Sequence, residues 1–213
     1  MARKVPFATG EIYHIYNRGV EKRDIFLDDG DHRRFMYILY HFNTKKSNQH
    51  THRHTGRGRT SASIDVDHTR EPLVKILNWC LMPNHYHLCV QELVPGGIVK
   101  FLQKTMTGYT MYFNTKYQRS GVLFQGKTKS QHVHSDAYLR YLQYYIDYNP
   151  LDLLIPKWKE NGIPDKQKAL EFLREYRWHR KGDYEHYVDS IGETDFLNED
   201  DICFEDIDNW VTR

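Results

Sequence analysis

Two histidines, His85 and His87, stand one residue apart in the segment MPNHYHLCV, and their spacing suits metal chemistry. Successive side chains of a β-strand point to opposite faces, so both imidazoles would share one face with Cα atoms roughly 6–7 Å apart. One metal ion could be held by both rings at that spacing. A catalytic cation would need at least one further protein ligand. Exposed or hydrogen-bonded strand histidines would produce the same pattern without a metal.

A second group of reactive side chains lies in the tyrosine-rich segment DAYLRYLQYYIDYNP. At about 100° per residue its aliphatic side chains gather on one helix face, which predicts the core side. Tyr145 lies at the edge of that face, and Asn149 follows four residues later on the same edge. This edge would offer a phenol and, one turn on, a neutral oxygen ligand. Tyrosines also flank helix core faces simply because the ring packs while the hydroxyl stays hydrated.

The elements that would position these residues alternate between strands and helices. Residues 11–18 read as a strand, and residues 73–93 read as two antiparallel strands joined at Pro83-Asn84. Asp31 is a candidate N-cap for a helix that continues to residue 43, and Gly96-Gly97 leads into a second helix. Ser135 or Asp136 would cap the tyrosine helix. Strands interleaved with helices and paired as hairpins predict an α+β fold with an antiparallel sheet.

Charge is distributed unevenly along the 213 residues. The net charge is +2, but the stretch from Glu193 to Arg213 carries eight acidic residues and one basic residue, so the remainder carries +9. A basic body favours a polyanionic partner such as nucleic acid. Three widely spaced cysteines without a CxxC pattern argue against a disulfide framework or structural zinc site. No stretch has the length and apolar character of a membrane span, which predicts a cytoplasmic protein without a membrane partner.

Several sequence blocks, taken together and in order, resemble the HUH single-tyrosine transposases, specifically the REP-associated tyrosine transposase branch. The blocks are YHIYNRG (13–19), IFLDDGDHRRF (25–35), CLMPNHYHLCV (80–90), GVLFQGKTKS (121–130) and YIDYNP (145–150). The resemblance covers roughly residues 8–155. It is weak beyond that range and absent in the acidic tail.

The resemblance implies a fold and a reaction. The fold is a ferredoxin-like antiparallel sheet with helices packed on one face, followed by a C-terminal helical extension and an acidic tail. Tyr145 would be the catalytic nucleophile, and His85, His87 and Asn149 would hold a divalent cation, Mg²⁺ or Mn²⁺. The enzyme would nick single-stranded DNA and transfer the strand through a 5′-phosphotyrosine intermediate, acting on hairpin or palindromic repeat DNA. The general base stays open between His14, Asp147 and solvent.

The resemblance also implies a domain division and a DNA-binding set. The catalytic domain would span residues 1–155 with a flexible basic insert at 44–70, followed by a helical extension at 156–190 and the acidic tail at 191–213. DNA contacts are expected from four basic residues: Lys127, Lys129, Arg18 and Arg23. The protein would be bacterial, nucleoid-associated, and either a monomer or a homodimer.

Two other function classes fit parts of the pattern. A domesticated DNA-binding module without catalysis would keep the basic body, but it has no need of the two histidines, Tyr145 and Asn149 together. A metal-dependent nucleic-acid hydrolase could use the histidines without requiring Tyr145.

The sequence departs from the family pattern after the Asn-Pro pair. Residues LDLL stand there, where basic residues are common in the family.

Overall fold

The computed structural model describes residues 6–45 and 71–180. Most of the expected insert at 44–70, the last part of the helical extension and the whole acidic tail lie outside these residues. The chain leaves the described part at Lys45 and returns at Glu71, and these two residues are paired. The Lys45 amide donates to the Glu71 carbonyl at 3.0 Å, and Lys45 Nζ lies 2.9 Å from Glu71 Oε2.

Four antiparallel strands form one sheet in the order β2-β3-β1-β4. The strands are β1 (Ile12–Arg18), β2 (Val74–Met82), β3 (His85–Glu92) and β4 (Lys129–His132). The helices are α1 (Asp29–Phe42), α2 (Gly97–Lys116), α3 (Asp136–Asp147), α4 (Leu151–Leu154), α5 (Trp158–Asn161) and α6 (Lys166–Glu175). The α+β class with an antiparallel sheet is confirmed.

The hairpin of β2 and β3 turns at Pro83-Asn84, as the sequence predicts. One irregularity interrupts it: the register shifts between Ile76 and Asn78, as in a β-bulge. A bulge re-aims the side chains that follow it. Asn78 consequently enters the sheet with its side chain fully buried, and it becomes an anchor for α3 as described below.

The main core lies between one sheet face and helices α1 and α2. It joins strand residues such as Ile15, Leu88 and Val90 with Phe35 of α1 and Phe101 of α2. Where the two helices cross, Gly108 lets them approach closely. A Cβ atom at that position would lie 2.3 Å from the ring of Phe42.

Helix α1 begins three residues earlier than the sequence suggested. Asp28, not Asp31, is the N-cap, and its side chain accepts from the Asp31 amide at 2.9 Å. Asp31 is instead fully buried in the first turn, where its carboxylate accepts from the Leu27 amide and pairs with Lys116 at 2.7 Å. Asp28 belongs to the same acidic run as Asp31, and the buried partners of Asp31 leave the cap position to Asp28.

Helix α3 packs on the opposite face of the sheet from α1 and α2, so the expectation that all helices share one face is wrong in this detail. Leu142 and Ile146 of α3 contact Cys80, Met82 and Cys89. These strand residues alternate with the ones that face the main core. The sheet is therefore covered on both faces, and the histidine face belongs to α3.

The C-terminal extension wraps back onto the sheet. Its helices α4 and α6 share a small core with Tyr148 and Trp158. Residues 176–180 then run along the edge of β2, where the backbones of Cys80 and His179 form a single antiparallel β-bridge. Trp178 stacks on His32 at 4.3 Å, and Phe26 stacks on the same imidazole at 4.6 Å. In the described part of the chain, no helix combines the length and apolar composition that crossing a bilayer requires.

Candidate active site

His85 and His87 lie on the sheet face that α3 covers. Strand alternation turns Tyr86 toward the main core and the two imidazoles toward α3. Their ring centroids are 5.1 Å apart with the ring planes nearly perpendicular. On the neighbouring strand β1, Tyr16 is the register partner of His87 and Arg18 is the partner of His85.

Helix α3 carries Tyr145 to these histidines. Ser135 caps the helix by accepting from the Tyr138 amide, which decides between the two cap candidates. Tyr145 is half-buried, and its ring lies 5.3 Å from the ring of His87 in a perpendicular contact. Asn149 follows one turn later and is almost fully buried. The structure therefore brings His85, His87, Tyr145 and Asn149 together.

The position of α3 on the sheet depends on Asn78. Its side-chain amide donates to Asp147 Oδ1 at 3.0 Å and to the Gln143 carbonyl at 3.3 Å, while its oxygen accepts from the Trp79 amide at 2.7 Å. Gln143 and Asp147 bracket Tyr145 along the helix. Asn78 thus fixes the turn of α3 that presents the phenol.

The hydrogen bonds of His85 direct two lone pairs at each other. Asn84 Oδ1 lies 2.6 Å from His85 Nδ1 and can only accept, so Nδ1 carries the proton of the neutral ring. The other nitrogen, Nε2, then bears a lone pair and faces Asn149 Oδ1 at 3.1 Å. Two acceptors at this separation suit adjacent ligands of one oxygen- and nitrogen-coordinated cation. The donor set therefore fits a divalent metal.

His87 is held by a second imidazole. His14 Nε2 lies 2.8 Å from His87 Nδ1 and both side chains are buried, so one nitrogen donates and the other accepts. If His87 Nδ1 donates to His14, its Nε2 is left as a lone-pair donor for a metal. Burial lowers the pKa of His14 to about 4 and the pKa of His87 well below its usual value, and the nearby charges of His85 and Lys159 act on His87 in the same direction.

His85 is also a neutral imidazole, which is the form that binds metals. Its pKa is lowered, first by burial, against the opposing effect of the Asn149 side chain. Within residues 6–45 and 71–180, no group of three or more His, Cys, Asp or Glu side chains is arranged to hold a metal ion. A cation at this site would accordingly depend on the amide oxygen of Asn149 as its third protein ligand.

The Tyr145 phenol is protonated at neutral pH. Burial, followed by the proximity of Tyr141, Asp152 and Tyr16, raises its pKa to about 12, while a hydrogen bond with the Asn149 side chain acts in the opposite direction. Of the three candidate bases, Asp147 is buried against Asn78 beneath the helix and stands two residues from Tyr145, so it does not share its face. The His14 ring lies 6.0 Å from the Tyr145 ring.

Lys159 is a site residue that sequence reasoning missed. Its ammonium nitrogen lies 4.6 Å from the centre of the Tyr145 ring and 3.1 Å from Asp152 Oδ2, which holds it in place. The residue comes from the short helix α5, far along the chain from the histidines. The segment PKWKEN has no periodicity or motif to indicate that position, and a lysine beside a tryptophan is a weak signal.

The four expected DNA-binding residues lie in different surroundings. Arg18 is exposed at the end of β1, opposite His85, and donates to Gln125. Lys129 Nζ lies 5.9 Å from the ring centre of Tyr16, on the histidine side of the sheet. Lys127 is exposed in the loop before β4. Arg23 lies after the turn that follows β1, where it pairs with Glu21 at 3.5 Å.

No family model and no curated protein sequence matches this chain. Among solved structures, it is similar to a REP-associated tyrosine transposase bound to a REP hairpin. The two share 12% sequence identity with a TM-score of 0.47, over 72% of this chain and 73% of the other.

Proposed function

We propose that this protein is a DNA-processing enzyme that nicks single-stranded DNA and transfers the strand through a covalent 5′-phosphotyrosine on Tyr145. The substrate would be hairpin or palindromic repeat DNA. The observation that supports this most is the convergence of His85 Nε2 and Asn149 Oδ1 at 3.1 Å beside the Tyr145 ring. A binding module would gain nothing from two facing lone pairs next to a phenol.

His85, His87 and Asn149 would hold Mg²⁺ or Mn²⁺, which would supply Lewis-acid polarisation of a non-bridging phosphate oxygen. The Tyr145 oxygen forms a bond to phosphorus while the bond from phosphorus to the 3′ oxygen breaks. The phenolic proton passes to water, because His14 Nε2 is already occupied by the hydrogen bond with His87 Nδ1. The 3′ oxygen leaves as a hydroxyl after it gains a proton. The phosphotyrosine retains an ester bond for rejoining, so the reaction needs no nucleotide cofactor.

Lys159 would assist this step by its charge. The reacting phosphodiester is an anion, and negative charge also develops on the phenol oxygen as its proton leaves. An ammonium group held by Asp152 over the Tyr145 ring is positioned to neutralise either charge. Electrostatic groups that are already in place where charge develops contribute strongly to catalysis.

A covalent-adduct assay tests the proposal. The protein is incubated with labelled single-stranded DNA from the repeats that flank its gene, with Mn²⁺, with Mg²⁺ or with EDTA, and run on a denaturing gel. We expect a shifted protein–DNA band that requires metal and is lost in Tyr145→Phe. Tyr144→Phe is the matched control, because Tyr144 is also half-buried but packs against the extension core.

The other outcomes separate the competing function classes. Cleavage that persists in Tyr145→Phe would contradict the tyrosine mechanism and leave a hydrolase. Binding of several hairpin substrates without any adduct would identify a DNA-binding module without catalysis. An adduct that forms equally well in EDTA would show that the histidines and Asn149 have another role.

A further inference from the structure

Four aromatic rings, one just before α3 and three on the helix, form a row that ends at Tyr145. We call His134, Tyr138, Tyr141 and Tyr145 the ring ladder. The centroid separations of successive rings are 5.4, 6.0 and 6.1 Å, and the corresponding angles between ring planes are 17°, 23° and 33°. A flat group that lies parallel to one ring is therefore inclined by no more than 33° to the next.

The ring ladder faces the solvent over much of its length. His134 and Tyr141 are exposed, and Tyr138 and Tyr145 are half-buried. The helix needs its aliphatic side chains for packing, since Leu142 and Ile146 make the buried contacts with the sheet. Tyrosine rings that serve only to complete a core have no need to be aligned with one another at the surface.

A further aromatic residue with positive charge beside it, Tyr16, lies on the same side of the sheet as His14 and His87. Tyr16 of β1 is half-buried, and its ring stacks on His14 at 4.8 Å and on His87 at 5.8 Å. Tyr16 is close enough to act on both Tyr138 and Tyr145 electrostatically. Lys129 lies over the Tyr16 ring, and Lys159 lies over the Tyr145 end of the ring ladder.

We propose that the ring ladder binds single-stranded DNA by stacking on its bases, and that it guides the strand so that the phosphodiester beside the last stacked base reaches Tyr145. The proposal rests on the proposed function for the identity of the strand and for the reaction at its end. Aromatic faces interleaved with basic side chains are typical of surfaces that bind single strands. The bases of a duplex are stacked on one another, so a duplex cannot use such a row.

Equilibrium binding without chemistry gives the direct test. The full chain carrying Tyr145→Phe keeps the last ring but cannot form an adduct, and fluorescence anisotropy is measured in EDTA with a labelled oligonucleotide. Replacing Tyr141 by Ala should weaken binding of the single strand about 5- to 150-fold, which corresponds to one lost base stack. Tyr138→Leu, which retains apolar packing, should have a similar effect, whereas Tyr141→Phe and Tyr138→Phe should bind normally because stacking uses the ring and not the hydroxyl.

Three further readings separate stacking from a structural or electrostatic role. The loss of affinity caused by Tyr141→Ala and Tyr138→Leu should be absent for a duplex of the same sequence. It should be absent for an oligonucleotide with abasic positions next to the scissile phosphate, because no base is left to stack. The salt dependence of binding should keep its slope, since no phosphate contact is removed.

A matched control is available on the other face of the sheet. Tyr37 of α1 is a half-buried surface tyrosine that contacts the His41 ring at 4.0 Å. Tyr37→Leu should leave single-strand binding unchanged, and thermal melting should show that all variants fold.

Unchanged affinity in Tyr141→Ala and Tyr138→Leu would overturn the ring ladder proposal. Equal losses for single strand, duplex and abasic DNA would also overturn it, because they would indicate a structural effect. These results are independent of the adduct assay. Ring-dependent binding without any adduct would keep the ring ladder and reject the nickase, and an adduct with ring-independent binding would do the reverse.

Discussion

The Asn78→Ala variant tests whether the sheet holds the tyrosine helix in position. Asn78 is fully buried and makes three hydrogen bonds, one of them to the Asp147 carboxylate. A bond to a charged partner contributes about 2 kcal/mol and each neutral bond about 1 kcal/mol, so their loss should lower the free energy of unfolding by about 4 kcal/mol. For a domain of this size the melting temperature should fall by about 8–16 °C.

The assay combines thermal melting with adduct formation. Because Gln143 and Asp147 bracket Tyr145, the variant should also lose adduct yield well below its melting temperature, where the chain is still folded. Asn114→Ala is the matched control. Asn114 is hydrogen-bonded as well, to Gly121 and Arg119, but at the surface, so its removal should cost less than about 1 kcal/mol.

One result would refute this reasoning. If Asn78→Ala melts no lower than Asn114→Ala, then the bonds of Asn78 do not hold α3, and the packing of its aliphatic face must position Tyr145. A variant that melts lower but forms adduct at the normal rate would show that stability and positioning are separate.

Three other predictions concern charge, pH and packing. Lys159→Gln should reduce the rate of adduct formation about 10- to 100-fold at unchanged melting temperature. Lys157→Gln is the control, because Lys157 lies two residues earlier in an exposed turn, and it should not change the rate. Equal rates in the two variants would exclude an electrostatic role of Lys159 in the reaction. Burial between two aromatic rings lowers the pKa of His32 in the folded protein. As the pH drops, His32 is therefore protonated in the unfolded chain before it is protonated in the folded one. The free energy of unfolding should consequently fall below about pH 6.5, by up to about 1.4 kcal/mol per pH unit. His32→Phe should flatten the pH dependence measured by urea unfolding from pH 7 to 5, and an unchanged slope would contradict the assignment. Gly108→Ala should not stabilise the protein despite the better helix propensity of alanine, because the new Cβ would meet the Phe42 ring. In a Phe42→Leu background the same substitution should raise the free energy of unfolding by about 1 kcal/mol, measured by urea unfolding. Equal effects in both backgrounds would rule out the contact between position 108 and the Phe42 ring.

Local patterns were sufficient for the elements that build the site. The hairpin from Val74 to Glu92 follows from two β-rich runs around Pro83-Asn84, and α3 follows from the spacing of its aliphatic residues. Helical geometry also predicts that Tyr145 and Asn149 share an edge, since they are one turn apart. These inferences need only the spacing of apolar residues along each element and the residues of the turns.

Spatial relations between distant elements could not be predicted in the same way. The apolar face of α3 shows that the helix packs, but it does not say which side of the sheet receives it, and α3 lies opposite α1 and α2. Lys159 reaches Tyr145 through the fold of the C-terminal extension, which no local pattern encodes. The N-cap of α1 was misplaced because Asp31 looks like a cap in sequence but is a buried acceptor in the fold.

The functional roles of the four site residues stay predictions. The structure places His85, His87, Tyr145 and Asn149 within reach of one another, which a spacing argument cannot do for residues some sixty positions apart. Proximity explains how they could act together. The adduct assay tests their part in the proposed nicking reaction.

The pairing of Lys45 with Glu71 closes the fold at the two residues that flank positions 46–70. These two residues are already joined by a backbone hydrogen bond and an ion pair, so the length of what lies between hardly affects the fold. Doubling a closed loop costs only about 0.6 kcal/mol of entropy. We therefore expect that a fluorescent protein or an affinity module inserted between Lys45 and Glu71 would leave the four-stranded sheet intact.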